Sequence, residues 1–448
     1  MLLTRPRRAA DPARGPAGPR RASVALAASL ALASVAAAQE PPSGAGVTTP
    51  APGAQGGDAP APPETSGQPP ATAEPGEGPK LGGKPGDGFV EVRLGYYDST
   101  DGRGDGNPFL DESLTVVEPV IVVGVNVTER LALQLKGSYD YVSSASIDRL
   151  SRYPEQSGAS GDNYFGGDLS ARYALTEAVR LGAHAGFGAE YDYQSFGVGG
   201  NVEWDLFEKT TTLSLGLNGY LDTVKVIRFD GAEEGDEGRT TLTLNLGWYQ
   251  ILSPALHLSV GASFTRQSGF LETAYNGVVL EDPSDPANPL LDNQARGVEV
   301  AEELPDSRLR YALWGELRRH FTTGTAVGLG LRGYTDSWGI TSGTVELQVH
   351  QWIVDDRLRA RLRYRYYRQS AAIDFQDRFQ VPPGARAAFL ASEERTQDAD
   401  LGDFDAHTIG LELTWKIGRV SVDLGGDYVL RSDGIDQRIV SLGLRWDF

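Results

Sequence analysis

The chain has no cysteine and only one methionine among 448 residues. Lack of cysteine excludes disulfides, thiolate metal sites, a cysteine nucleophile and a lipid-anchored N-terminus, which would need a cysteine at its cleavage point. Positive charge is also scarce. Lys and Arg number 41 against 60 Asp and Glu, a net charge of −19, which would repel nucleic-acid phosphates and argues against a nucleic-acid partner. There are five histidines, His184, His257, His320, His350 and His407, and no HExxH pair, nucleophile elbow or P-loop. Residues 101–107 look faintly like a calcium loop but lack alternate-residue ligand spacing and the closing Glu. These shortages point away from an enzyme and imply no cofactor and no metal. Beyond residue 38 no apolar run reaches helix-spanning length, which leaves a soluble protein and a β-barrel both open.

The N-terminal 38 residues read as a secretory signal peptide. Arg5, Arg7, Arg8, Arg14, Arg20 and Arg21 form a basic region, residues 22–38 an Ala- and Leu-rich core, and Ala36-Ala37-Ala38 a small-residue cleavage site. Residues 39–87 are dominated by Pro, Gly, Ala, Ser and Thr and cannot bury a core, so a disordered linker in the periplasm is expected there. Residues 88–448 carry the fold.

From Phe89 onward the chain alternates apolar and polar with a period of two. Leu256, Leu258, Val260, Ala262 and Phe264 share one face, and Ile409, Leu411, Leu413, Trp415 and Ile417 another. About 16 such segments occur, with roughly 14–18 compatible, most long enough for a tilted strand to cross a bilayer. They begin near 88, 113, 130, 163, 178, 195, 210, 239, 255, 306, 325, 340, 357, 404, 419 and 434. Short turns such as Thr176-Glu177, Glu208-Lys209 and Ser253-Pro254 alternate with mostly longer polar links at 100–112, 145–162, 223–238, 268–305 and 371–403. A soluble sandwich has no reason to sort its loops in this way, whereas short periplasmic turns opposite long outer loops are the outer-membrane pattern. The expected fold is all-β, a transmembrane antiparallel up-and-down β-barrel in the outer membrane of a Gram-negative bacterium.

Aromatic placement agrees. In this register Trp204, Trp248, Trp415 and Trp446 point outward near the periplasmic strand ends, as a lipid-facing girdle would, and Tyr96, Tyr191, Tyr366 and Tyr428 lie nearer the outer ends. Val440, Leu442, Leu444, Trp446 and Phe448 alternate to the last residue. Phe448 resembles the assembly signal read by the barrel-assembly machinery, which would be a partner alongside outer-membrane lipid and lipopolysaccharide. The acidic outer loops could bridge to lipopolysaccharide through divalent cations, or be simply solvated. Porins often trimerise, so a homotrimer is compatible with this reading.

The lumen carries the functional candidates. Arg357, Arg359, Arg361, Arg363 and Arg365 alternate with Leu358, Ala360, Leu362, Tyr364 and Tyr366. A charge on the lipid face near the midplane would cost about 2–4 kcal/mol, so the arginines are expected inside. Arg308, Arg310, Arg318 and Arg332 extend this stripe, and Glu346, His350 and Glu412 on neighbouring strands offer partners. Such pairs would brace the wall; the functional alternative is an electropositive stripe that attracts anions. Glu190, Asp192, Glu203 and Asp205, across the barrel, would supply an acidic wall and a transverse field. The apolar residues Phe270, Leu271, Tyr275, Val278, Val279 and Leu280 suggest that loop 268–305 either folds into the mouth or meets a partner.

Several stretches resemble a known family. They are Leu304-Pro305-Asp306-Ser307-Arg308, Tyr334-Thr335-Asp336-Ser337-Trp338-Gly339-Ile340, the run from Arg363 to Ala372, Ser268-Gly269-Phe270-Leu271 and Tyr139-Asp140-Tyr141-Val142-Ser143. Together they are similar to an uncharacterised bacterial family catalogued as domain of unknown function 3570, over roughly residues 88–448. The resemblance implies an outer-membrane barrel and carries no activity or site residues. The expectation for function is a porin-like channel for small polar or anionic solutes. The alternatives are a non-conducting barrel that scaffolds a periplasmic or surface partner and, third, an outer-membrane hydrolase using His184 with nearby acids.

Overall fold

The computed structural model describes residues 81–102, 113–144, 160–284, 297–392 and 394–448. The signal peptide, the linker up to residue 80, most of the calcium-like stretch, residues 145–159 of the 145–162 link and residues 285–296 of the 268–305 link lie outside the described residues. Sixteen strands form one closed antiparallel barrel. They are β1 (Gly88–Asp101), β2 (Leu114–Asn126), β3 (Leu131–Ser144), β4 (Ser160–Ala174), β5 (Val179–Ala189), β6 (Tyr193–Leu206), β7 (Thr211–Ile227), β8 (Glu233–Ser253), β9 (Leu256–Gly269), β12 (Ser307–His320), β13 (Thr325–Asp336), β14 (Thr341–Val354), β15 (Leu358–Gln369), β17 (Phe404–Ile417), β18 (Val420–Arg431) and β19 (Ile435–Asp447). Three short strands, β10 (Gly277–Glu281), β11 (Gly297–Ala301) and β16 (Phe379–Gln380), form a separate sheet outside the wall.

The strands begin within a few residues of the positions read from the periodicity, apart from β8, which begins earlier. The physical reason for the alternation is plain in the burial pattern. Outward positions such as Leu313, Leu331, Leu362, Ile409 and Leu442 are exposed because nothing in the chain covers them. Inward positions on the same strands are polar or small. An apolar outer band on a closed sheet is the arrangement that satisfies every wall amide while offering hydrocarbon an apolar surface. Trp204, Trp248, Trp415 and Trp446 all lie outward near the rim of short turns, each roughly half exposed.

Closure falls where the first and last strands meet. β1 pairs with β19 from Phe89 opposite Asp447 to Asp101 opposite Ile435. Phe448 extends the ladder by one step: its N–H donates to the Gly88 carbonyl at 2.9 Å and its carbonyl accepts from the Gly88 N–H at 3.0 Å. The Phe448 ring then packs over Gly88, where an added Cβ would stand 2.8 Å from the ring and 2.4 Å from the Gly124 carbonyl. The Trp446 ring lies 5.3 Å away. Phe448 therefore closes the seam as well as ending the strand.

Two links depart from the sequence reading. The 223–238 stretch, expected as a loop, is mostly paired strand: β7 and β8 continue as a hairpin to Ile227 opposite Glu233. The alternation of Val224 and Val226 continues the inner face, and Lys225 meets Glu233 at 3.0 Å, so the acids of this segment are carried on a ladder. The described parts of the long links 268–305 and 371–403 fold together into a cap. β10 pairs with β11 and β16, and a short helix, α1 (Arg386–Ser392), lies beside them. Val278, Leu280, Phe379 and Val381 form one buried cluster; Leu271, Leu304, Trp338, Ile340, Ala372 and Leu401 form a second, against Tyr334 on the inner face of β13.

The seam makes a quantitative expectation. Gly88→Ala forces its Cβ against backbone, an overpacking worth about 1–3 kcal/mol, whereas Gly137→Ala adds a methyl with no atom within 4 Å. Equilibrium urea unfolding of the folded protein in lipid vesicles should show the first loss and a change within about 0.5 kcal/mol for the second. Equal stability of both variants would mean that the Gly88 contact does not matter.

Candidate functional site

The inner wall from β12 to β18 concentrates positive charge. On β15, Arg359, Arg361, Arg363 and Arg365 face inward and Leu358, Ala360, Leu362, Tyr364 and Tyr366 face outward. Arg357 does not join them. The Asp355-Asp356 turn, with Asp356 at φ 56°, takes one residue more than the periodicity suggests, and Arg357 stands exposed in that turn. Arg308, Arg310, Arg318 and Arg332 face inward on β12 and β13, and Glu346 and His350 do so on β14.

The pairing of these arginines is uneven. Glu412 on β17 serves two of them, Arg361 at 2.7 Å and Arg359 at 3.9 Å. Arg363 pairs with Asp427 on β18 at 3.0 Å. Nearer the loop rim Arg308 donates to Asp336 at 2.9 Å and Arg310 to the Tyr334 hydroxyl at 3.0 Å. Arg365 lies over the Tyr367 ring. Glu346 accepts from Gln348, whose carbonyl oxygen lies 3.1 Å from His350 Nε2.

Asp427 was missed by sequence reasoning because it lies two strands from Arg363. The link is Gly410, which sits between them in register on β17. A Cβ there would collide with Asp427 Oδ1 and come within 3.4 Å of Arg363 Nε. Glycine at an inward position thus opens a window through which side chains from the strands on either side meet. An inward glycine flanked by opposite charges two strands apart is the signal that could have revealed the pair.

The acidic wall is not as the register suggested. Glu203 and Asp205 face inward, but both are buried on Arg180, whose Nε lies 2.8 Å from Glu203 and whose Nη2 donates to Asp205 at 2.8 Å. Glu190 and Asp192 fall in the bend between β5 and β6 rather than on a wall face. Unanticipated acids stand elsewhere on this side: Asp140 is fully buried, with both carboxylate oxygens lacking a hydrogen-bond partner among the described residues. His184 faces inward on β5, one step along the ladder from Asp168. Among the described residues no group of three or more His, Asp and Glu could hold a metal ion.

The cap is anchored to the inner wall at the loop rim. Gln369 on β15 donates to the Gly402 carbonyl at 2.6 Å, and Arg431 on β18 pairs with Asp400 in a single 3-10 turn (Ala399–Leu401). Its core holds acids. Glu302 accepts from Thr396 Oγ1 at 2.6 Å and from the Thr273 N–H at 2.7 Å. Burial pushes the Glu302 carboxyl up to about 7, and burial with the Asp400 and Glu302 charges pushes Asp398 up to about 8. Glu272, also raised by burial, is held by Arg228 at 2.8 Å.

The linkage has a definite sign. These folded-state values lie above those of an unfolded chain, so their stabilising contribution is complete below about pH 4 and fades as pH rises through 7 to 8. Amide-exchange protection in 271–281 and 395–402 should therefore fall by about tenfold or more between pH 6 and 9 after correction for intrinsic rates. Glu302→Gln and Asp398→Asn together should flatten the dependence. Protection that rises with pH would contradict this assignment.

Comparison with known proteins adds the following. The siderophore receptor PirA from Acinetobacter baumannii is 12% identical with a TM-score of 0.39, over 78% of this chain and 53% of that one, so the chain spans about half the receptor's length. OccK1 (OpdK) from Pseudomonas aeruginosa is 10% identical with a TM-score of 0.39, over 81% and 98%. OccAB3 from Acinetobacter baumannii is 10% identical with a TM-score of 0.39, over 81% and 99%. No curated protein matches. A family model matches residues 152–434, most of the barrel from β4 to the last hairpin, and the chain thus belongs to the family described as "Protein of unknown function (DUF3570)".

Proposed function

We propose that this protein is an outer-membrane channel for the passive passage of small polar solutes, with a preference for anions. The observation that carries the reading is the inner face of β15, where Arg359, Arg361, Arg363 and Arg365 line one strand, with Glu412 and Asp427 among their partners. The inner faces of β12 to β18 together carry more arginine than carboxylate, which leaves this side of the wall cationic. Low-dielectric walls focus such a field along the bore, where it acts on a solute more strongly than the same charges on an open surface. The lipid-facing band, the tryptophans at the turn rim and the Phe448 seam support placement in an outer membrane, with the turn rim toward the periplasm.

The cap supports a second reading, a closed barrel that scaffolds a partner. One apolar cluster packs against Tyr334, while Gln369 bonds to the Gly402 carbonyl and Arg431 pairs with Asp400. Conductance separates the two readings. In planar bilayers under a KCl gradient, folded protein should conduct with a chloride-to-potassium permeability ratio above 1. Arg361→Gln with Arg363→Gln should move the ratio toward or below 1, and Glu412→Gln should raise it. A folded preparation without conductance, or a ratio that none of these substitutions shifts, would remove the channel reading.

A further inference from the structure

Arg318 is the least expected side chain of the inner wall. It is 2% exposed and inward-facing on β12, yet its Nε and Nη1 have no hydrogen-bond partner among the described residues. Its one ion-pair contact is Glu316 on the same strand, 2.6 Å from Nη2 but not aligned as a hydrogen bond. A buried guanidinium with donors left over is costly unless something brings acceptors to it.

The surroundings define where that something would sit. Directly opposite Arg318 across the ladder is Gly328 on β13, with Ala326 beside it on the same inner face. These two residues make a floor with almost no side-chain volume. Glu316 Oε1 and Arg318 Nε both lie along its edge, 3.3 and 3.5 Å from where a Gly328 Cβ would be. The next ladder position on β12 is His320, opposite Ala326; on the far side of the floor Ala326 faces His350, which in turn faces Arg361. β12 and β14 are two strand spacings apart, about 9–10 Å. Across that span Gly328 and Ala326 add no side chain larger than a methyl.

The nearby acids do not fill this role. Glu316 contacts Arg318 from one side, Glu346 is held by Gln348, and Glu412 is shared between Arg359 and Arg361. A buried guanidinium with two donors left over, flanked in register by two imidazoles, suits an oxyanion, since a planar carboxylate or a phosphate offers several acceptors at once.

We propose that the Gly328 floor between β12 and β14 is a binding station for a small oxyanion, a carboxylate or a phosphate, held by Arg318 with His320 and His350. This deepens the channel reading and rests on it for any role in passage, although binding itself requires no conduction. Calorimetry on the folded protein in detergent, with inorganic phosphate, succinate and choline as probes, tests it. Phosphate, succinate or both should bind and choline should not, and which anion binds identifies the class. Arg318→Gln should weaken binding at least about tenfold, as loss of a charge-assisted bidentate contact does. Gly328→Leu should do the same by filling the floor without adding or removing a charge. Heat-modifiable gel migration reports whether each variant is folded. Equal affinity in the wild type and both folded variants, or no binding of either anion at high millimolar concentration, would overturn the station. Binding without conductance in bilayers would remove the channel reading and leave the station standing; conductance without binding would do the reverse.

Discussion

The rest of the structure depends on the requirement that every backbone N–H and C=O of the wall be paired within one closed sheet. Hydrocarbon offers no substitute partners, and an open edge would leave a row of amides unsatisfied at several kcal/mol each. The seam between β1 and β19 meets this requirement through to its last step, where Phe448 exchanges both hydrogen bonds with Gly88. Gly88 has to be small there because the Phe448 ring and the Gly124 carbonyl occupy the space a side chain would need.

Closure in turn fixes which way side chains point. With a period of two, the apolar residues of each strand must face out and the remainder must face in, whatever their charge. The arginines of β15 are inside because Leu362 and Tyr364 are outside. What the inner wall does with that charge is a separate matter, and its answer lies in glycine. Gly410 lets Arg363 on β15 reach Asp427 on β18, and Gly328 lets Arg318 lie across β13 toward β14. The first window ends in an ion pair. The second ends on a guanidinium whose Nε and Nη1 have no hydrogen-bond partner among the described residues.

The cap shows the same economy at the loop rim. Its two links are 97 residues apart in sequence where Arg378 meets Glu281, and neither has an apolar face large enough to fold alone. Together they bury Val278, Leu280, Phe379 and Val381, and they draw Glu302 and Asp398 into a site where the carboxyls hold their protons well above the usual range. These two carboxyls contribute more to holding the cap when protonated than when ionised.

The sequence by itself determined the strands, their faces and their order. A period-two pattern repeated from Phe89 to Phe448 settles which face of β15 carries arginine from Arg359 to Arg365 and where the tryptophans stand. The sequence did not determine partners across the wall. Glu412 was legible because it neighbours β15 directly; Asp427 was not, because pairing through Gly410 depends on three strands being in register. Arg180 on β5 stands directly opposite Glu203 and also holds Asp205, a contact that a lone inward arginine on its strand did not signal. The two long links were legible as apolar but not as one sheet, since their contacts join segments nearly a hundred residues apart. Alternation is a local property that each strand carries alone, whereas register and charge pairing exist only once the ladder has closed.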